Sequence, residues 1–164
     1  MTNNKNKIIL TASGVLIAVA GIIVLVLYLI SPVIKVSASA TEFGESGYFT
    51  VTGHGFKQVI GADFSIEFDN KAVQIEEIEN GNVFESVSVS EEAYANNNGV
   101  IQVVFLDYTG GDKPITLDGD LLYVKYKAMK PQDSRIALKD VAIVDDLMNY
   151  VDGFRVRNGK IKVN

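Results

Sequence analysis

The stretch Gly61-Ala62-Asp63-Phe64-Ser65-Ile66-Glu67-Phe68-Asp69 alternates large apolar and polar side chains without a miss. In an extended chain successive side chains point to opposite faces. Phe64, Ile66 and Phe68 therefore share one face and Asp63, Ser65 and Glu67 the other. A helix would scatter both sets around its circumference. The stretch is a strand with one face in a core and one in water. Val100 to Leu106 repeats the pattern through Ile101, Val103 and Phe105, and Leu121 to Ala128 repeats it through Leu122, Val124, Tyr126 and Ala128. Turn residues bound these segments: Asn96-Asn97-Asn98-Gly99, Thr109-Gly110-Gly111-Asp112 and Leu117-Asp118-Gly119-Asp120. Asn and Gly tolerate the backbone angles of tight turns, so the body of the chain reads as mostly antiparallel β.

Further short strands follow from the same reasoning. Val33 to Ser37 reads as the first. Tyr48 to Thr52 is a strand ending at Gly53-His54-Gly55, and Val73 to Ile78 is a strand with an irregularity. Val83 to Ser90 alternates Val87 and Val89 with serines. Arg135 to Leu138, Val141 to Val144 and Gly159 to Val163 complete the set. Within the acidic loop Asp145 to Gly153, Leu147 and Tyr150 are read as tucking into the end of the core.

Ile8 to Ile30 is different in kind. It holds no charged residue and only Thr11, Ser13 and Tyr28 as polar interruptions. At about 1.5 Å per helical residue it is long enough to cross a hydrocarbon layer of about 30 Å. Lys5 and Lys7 precede it, and all twenty acids lie beyond Thr41. The positive-inside bias then leaves residues 1–7 as a cytoplasmic tail, 8–30 as a membrane anchor and 33–164 as one exported domain. Ala38-Ser39-Ala40 has the small-x-small form of a signal-peptidase site, so cleavage after Ala40 would instead release a secreted domain. The apolar run exceeds the roughly 7–15 residues of a signal h-region, and the cut would remove the first strand. Both points support a retained anchor.

Composition excludes several functions. The absence of cysteine removes disulfides, thiolate metal sites and catalytic thiols. The formal charge of -5 makes nucleic acid an unsuitable partner. His54 is the only histidine, has no second ligand beside it and reads as a loop residue. No nucleophile–base pair is visible, so no enzyme is expected. Asp118-Gly119-Asp120 lacks the longer run of oxygen ligands that a Ca²⁺ loop supplies, and neither a metal nor a cofactor is expected.

The order of segments from Val33 to Val163 resembles the cohesin domains of bacterial and archaeal surface scaffolds. The resemblance lies in Gly61 to Asp69; in Ile75 with Asn80-Gly81-Asn82-Val83-Phe84; in Gly99-Val100-Ile101 to Phe105; in Asp118 to Lys127; and in Asn158 to Val163. It implies an all-β jelly-roll sandwich of about nine strands that docks a dockerin, a small calcium-loaded module carried by other proteins. It also implies a docking face on outward residues of Gly61 to Phe68, Val83 to Ser90, Val100 to Leu106 and Leu121 to Ala128. Asp63 matches an Asn-x-Asp pattern of the family, with Gly61 in place of the Asn. Val104 and Asp107 flank the inward Phe105 as the family's apolar and acidic positions do, and Gly110 matches a following glycine.

The expected partner-binding residues are thus Asp63, Ser65, Val104, Asp107, Gly110, Tyr123 and Lys125, with Leu147 and Met148 from a second contact region of the family. A face of this composition, with Glu67, Gln102 and Lys127 added, has a modest apolar centre and a polar rim. On the same face Glu67 would pair with Lys125 across strands. Two other functions fit a sandwich. One is a carbohydrate-binding module with Tyr94, Tyr108 and Tyr123 stacking on a polysaccharide, although no Trp is present. The other is a structural surface protein that packs with its own copies along Ser86 to Ser90.

Overall fold

The structure, a computed structural model, describes residues 17–24, 26, 31–84, 87–106 and 115–164. The chain divides into two units, Met1–Ser31 and Pro32–Asn164. In the first, residues 17–24 and 26 are helical, with Ile17, Val19, Ile22, Ile23, Val24 and Val26 exposed. Among the described residues no helix is long and apolar enough to cross a membrane, and most of the expected anchor 8–30 lies outside them.

The second unit has ten strands among its described residues: β1 Val33–Val36, β2 Ser39–Thr41, β3 Ser46–Glu67, β4 Val73–Asn80, β5 Val87–Val89, β6 Val100–Leu106, β7 Ile115–Ala128, β8 Ser134–Asp145, β9 Arg155–Arg157 and β10 Gly159–Val163. β3 organises them. Its first half pairs with β1 and β7, and its second half with β6 and β8. One layer therefore runs β9-β1-β3-β7-β4 and the other β5-β6-β3-β8-β10-β2. The layers enclose one core, in which Phe49, Val51, Leu122, Val124 and Tyr126 from the first meet Phe64, Ile66, Val103, Phe105 and Ile143 from the second. Phe64 and Phe105 rings lie 5.7 Å apart, and Phe84 stacks on Phe105 at 4.3 Å. Burial raises the pKa of the Tyr126 phenol, whose oxygen shares a 2.8 Å hydrogen bond with Ser39 Oγ.

Five expectations are corrected. Tyr48 to Thr52 does not end at the Gly53-His54-Gly55 segment, because the chain runs through it as part of the 22-residue β3. Gly53 is needed for close approach, since a Cβ there would sit 1.5 Å from Leu117 Cδ2. Gln58 adopts φ 55°, and the β3–β7 register shifts on both sides of Phe56, so bulges bend the strand without breaking it. His54 is a strand residue bonded to Asp118. Asp118-Gly119-Asp120 lies inside β7, where β3 and β7 change register. Arg135 to Val144 forms the single strand β8, bulged at Asp140 with φ 50°. Among the described residues of Val83 to Ser90, only Val87–Val89 forms a strand.

A helix, Glu92–Asn98, stands where the asparagine run suggested a turn. Gly99 ends it in the left-handed region at φ 69°, and its N–H donates to Ala95 O at 2.8 Å. The Asn96 amide bonds both the N–H and the C=O of Ile75, at 2.7 and 2.8 Å, which closes part of the β4 edge.

The two faces of β3 give a direct prediction. Phe64 is fully buried while Ser65 is half-exposed. Phe64→Ala should cost about 3–5 kcal/mol through lost burial and the cavity left behind, and Ser65→Ala under about 1 kcal/mol. Urea unfolding midpoints of the two variants measure the difference.

Candidate functional site

The outer face of the layer β5-β6-β3-β8 is built by simple register. Asp63 lies between Val104 of β6 and Ala142 of β8, and Ser88 of β5 continues the row beyond Val104. One row away Gly61 lies between Leu106 and Val144. In the other direction Ser65 lies between Gln102 and Lys139, and Glu67 between Val100 and Ala137. Ile101, Val103, Phe105, Phe64 and Ile66 point into the core, which leaves Asp63, Val104 and Leu106 outside. Gly61 keeps the floor low at one end, where the Leu106 side chain lies beside the position a Cβ would take.

Beyond that end the chain makes a hydrogen-bonded loop. Asp145 Oδ1 accepts from Leu147 N at 3.0 Å and from Asn149 N at 2.8 Å. Its backbone N–H donates to Asn149 O at 2.9 Å. Asp146 N donates to Gln58 O at 2.9 Å, tying the loop to the bend of β3, and Tyr150 bridges to Val144. Met148 turns the chain at φ 62°. The loop thus holds its apolar side chains outward. Leu147 is 74% exposed, Met148 71% and Tyr150 74%, which overturns the reading that Leu147 and Tyr150 enter the core. With Leu106 at 50% they form an apolar end to this face, and clustered exposed apolar side chains mark an interaction surface.

The structure brings Asp63, Ser65 and Val104 onto one face, with Leu147 and Met148 in the loop that leaves its β8 edge. Asp107, Gly110 and Tyr108 lie outside the described residues. Tyr123 and Lys125 are a correction, because β7 belongs to the other layer. There Tyr123 stands between Thr50 and Glu79, and Lys125 between Tyr48 and Glu77. Both are occupied locally. The Tyr123 hydroxyl donates to Asp120 Oδ2 at 2.6 Å, which raises its pKa, and Lys125 Nζ lies 3.7 Å from Glu76. Glu67 accordingly pairs with Lys139, at 3.8 Å, and not with Lys125. Tyr94 sits on the helix, away from β7, so it makes no row with Tyr123.

Sequence reasoning missed Leu106, Ala142 and Val144. Leu106 was recoverable, since it follows Val104 by two on a recognised strand. Ala142 and Val144 were hidden by the bulge at Asp140, which reverses the alternation along β8. Among the described residues no group of three metal-capable side chains comes together.

The architecture defines a two-layered β-sandwich with one outward face suited to recognition. The sequence matches the Cohesin domain family over residues 33–163, and the chain belongs to that family. Among solved structures, a type I cohesin–dockerin complex from Clostridium thermocellum superposes with a TM-score of 0.72 at 23% identity, over 82% of this chain and 99% of that one. A non-cellulosomal cohesin from Archaeoglobus fulgidus gives 0.69 at 18%, over 82% and 91%. The sixth cohesin of scaffoldin B from Acetivibrio cellulolyticus, in complex with a Cel5 dockerin mutant, gives 0.72 at 17%, over 82% and 99%. At these identities the likeness is one of fold. No curated protein matches the chain.

The loop's dependence on Asp145 is testable. Asp145→Ala removes the acceptor of two backbone N–H groups, and hydrogen bonds to a charged group each contribute about 1.5–3 kcal/mol. The variant should keep the sandwich intact and become cleavable between Asp146 and Tyr150 in limited proteolysis read by mass spectrometry.

Proposed function

We propose that this chain is a membrane-anchored cohesin that docks a dockerin-bearing protein non-covalently through the outer face of β5-β6-β3-β8, outside the cytoplasm. It acts by binding and not by catalysis. The observation that carries the reading is the apolar end of that face, Leu106, Leu147, Met148 and Tyr150, beside the acceptor Asp63 and the small apolar Val104. A partner helix laid there buries an apolar centre while its donors meet Asp63, the usual anatomy of a hot spot with a polar surround. Two of the solved neighbours are cohesins caught with a dockerin, which supports the same choice.

The anchor belongs to this proposal. Ile8 to Ile30 is uncharged and follows Lys5 and Lys7, and exposed apolar side chains from Ile17 to Val26 suit a lipid environment. Cleavage after Ala40 would remove β1, which buries Val33, Ile34 and Val36 and joins β3 to β9. A mature N-terminus at Thr41 would contradict retention. The polysaccharide reading loses its basis once Tyr94 and Tyr123 are apart, and among the described residues self-packing along Ser86 to Ser90 has three residues of strand to use.

Binding of the full-length chain in detergent to calcium-loaded dockerin modules tests the docking face. Val104→Asp or Leu147→Asp should weaken binding by about 30-fold or more, the effect of losing a contact worth about 2 kcal/mol, at an unchanged thermal midpoint. Tyr123→Ala should leave affinity unchanged. The reverse pattern, read by calorimetry, would move the interface to the other layer.

A further inference from the structure

The opposite end of the same face is charged. Arg135, Ala137 and Lys139 alternate outward along β8, with Glu67 beside Ala137 on β3. Together with Phe68 they line a shallow depression of about 290 Å³. Its floor is low because Ala137 is small and 7% exposed. Among the described residues Glu67 forms its ion pair with Lys139, at 3.8 Å, and Arg135 makes none. The neighbouring cation on β10, Lys160, is held by Asp133 Oδ2 at 2.5 Å. The depression therefore carries two cations against one carboxylate, on a chain whose net charge is -5.

We propose that the Arg135–Lys139 depression selects the partner by taking a carboxylate side chain of the docked protein. This rests on the docking-face reading above. From Gly61 to Glu67 is six residues, about 20 Å along an extended strand. A helix of about 13 residues covers that distance. The partner that fits lays one such helix along β3, apolar where it meets Leu106 and Leu147 and acidic where it meets Arg135. Arginine suits the task because its planar guanidinium receives a carboxylate through two parallel hydrogen bonds. Exposed charges of this kind contribute mainly to discrimination and orientation: a partner with Lys or Arg at that end meets like charge.

The full-length chain in detergent serves as bait for a displayed library of calcium-loaded dockerin modules randomised along both helices. Clones bound by the unaltered chain should carry Asp or Glu at one helix end and lose about tenfold in affinity for the Arg135→Glu/Lys139→Glu variant. Sorting on that variant should enrich Lys or Arg at the same positions, and Arg135→Gln should fall between. Leu147→Asp is the reference for the docking face itself. Clones that need Leu147 yet bind the charge-reversed variant equally would overturn the selector and leave the docking face standing. Clones indifferent to Leu147→Asp, or a library that yields none, would overturn both.

Discussion

A single strand has to serve two sheets in this domain. β3 hydrogen-bonds to β1 and β7 with its first half and to β6 and β8 with its second, so the bend between Gly53 and Val59 sets how the layers face each other. The bend depends on local chemistry: Gly53 leaves room for Leu117, and Gln58 takes a positive φ. Phe56 and Val59 stay buried through it, so the core is continuous across the corner. The same bend receives Asp146 through the Gln58 carbonyl and amide, at 2.9 and 3.2 Å. The strand that closes the sandwich thus also positions the loop bearing Leu147 and Met148.

The two outer faces differ in how their polar and apolar groups are satisfied. On the β9-β1-β3-β7-β4 layer, Tyr123 is bonded to Asp120, Lys125 lies near Glu76, and Glu76 also accepts from Ser46 Oγ at 2.8 Å. Tyr48, 57% exposed, stands beside Lys125 on that face. The β5-β6-β3-β8 face leaves several large apolar side chains in water at one end and, at the other, Arg135, which makes no ion pair among the described residues, with Asp63 and Val104 between. A loop whose backbone is already hydrogen-bonded loses little backbone freedom when covered, which lowers the entropic cost of binding. Asymmetry between the two ends gives a partner one favoured direction.

Much of the sandwich could be read from alternation. Phe64, Ile66, Ile101, Val103, Phe105, Leu122, Val124 and Tyr126 all face the core as their period of two requires. Alternation reports which side of its own strand a residue occupies and says nothing of which sheet the strand joins. Alternation alone therefore leaves Tyr123 and Lys125 free to share the face of Asp63, whereas pairing puts them on the other layer. Glycine at 53 and 55 reads as the end of a strand because bulges and turns use the same residues. The exposure of Leu147 and Tyr150 was illegible for another reason: apolar loop residues can be either buried or displayed, and only the hydrogen bonds to Asp145 decide between them.

In the proposed docking mode one layer of the sandwich carries the interface. Amide hydrogen exchange of the full-length chain in detergent, with and without a bound dockerin module, addresses it most directly. Slowed exchange is expected in β6, the second half of β3, β8 and the loop from Asp145 to Tyr150, with β4, β7 and β1 unchanged. Protection confined to β4, β7 and β1 would contradict it.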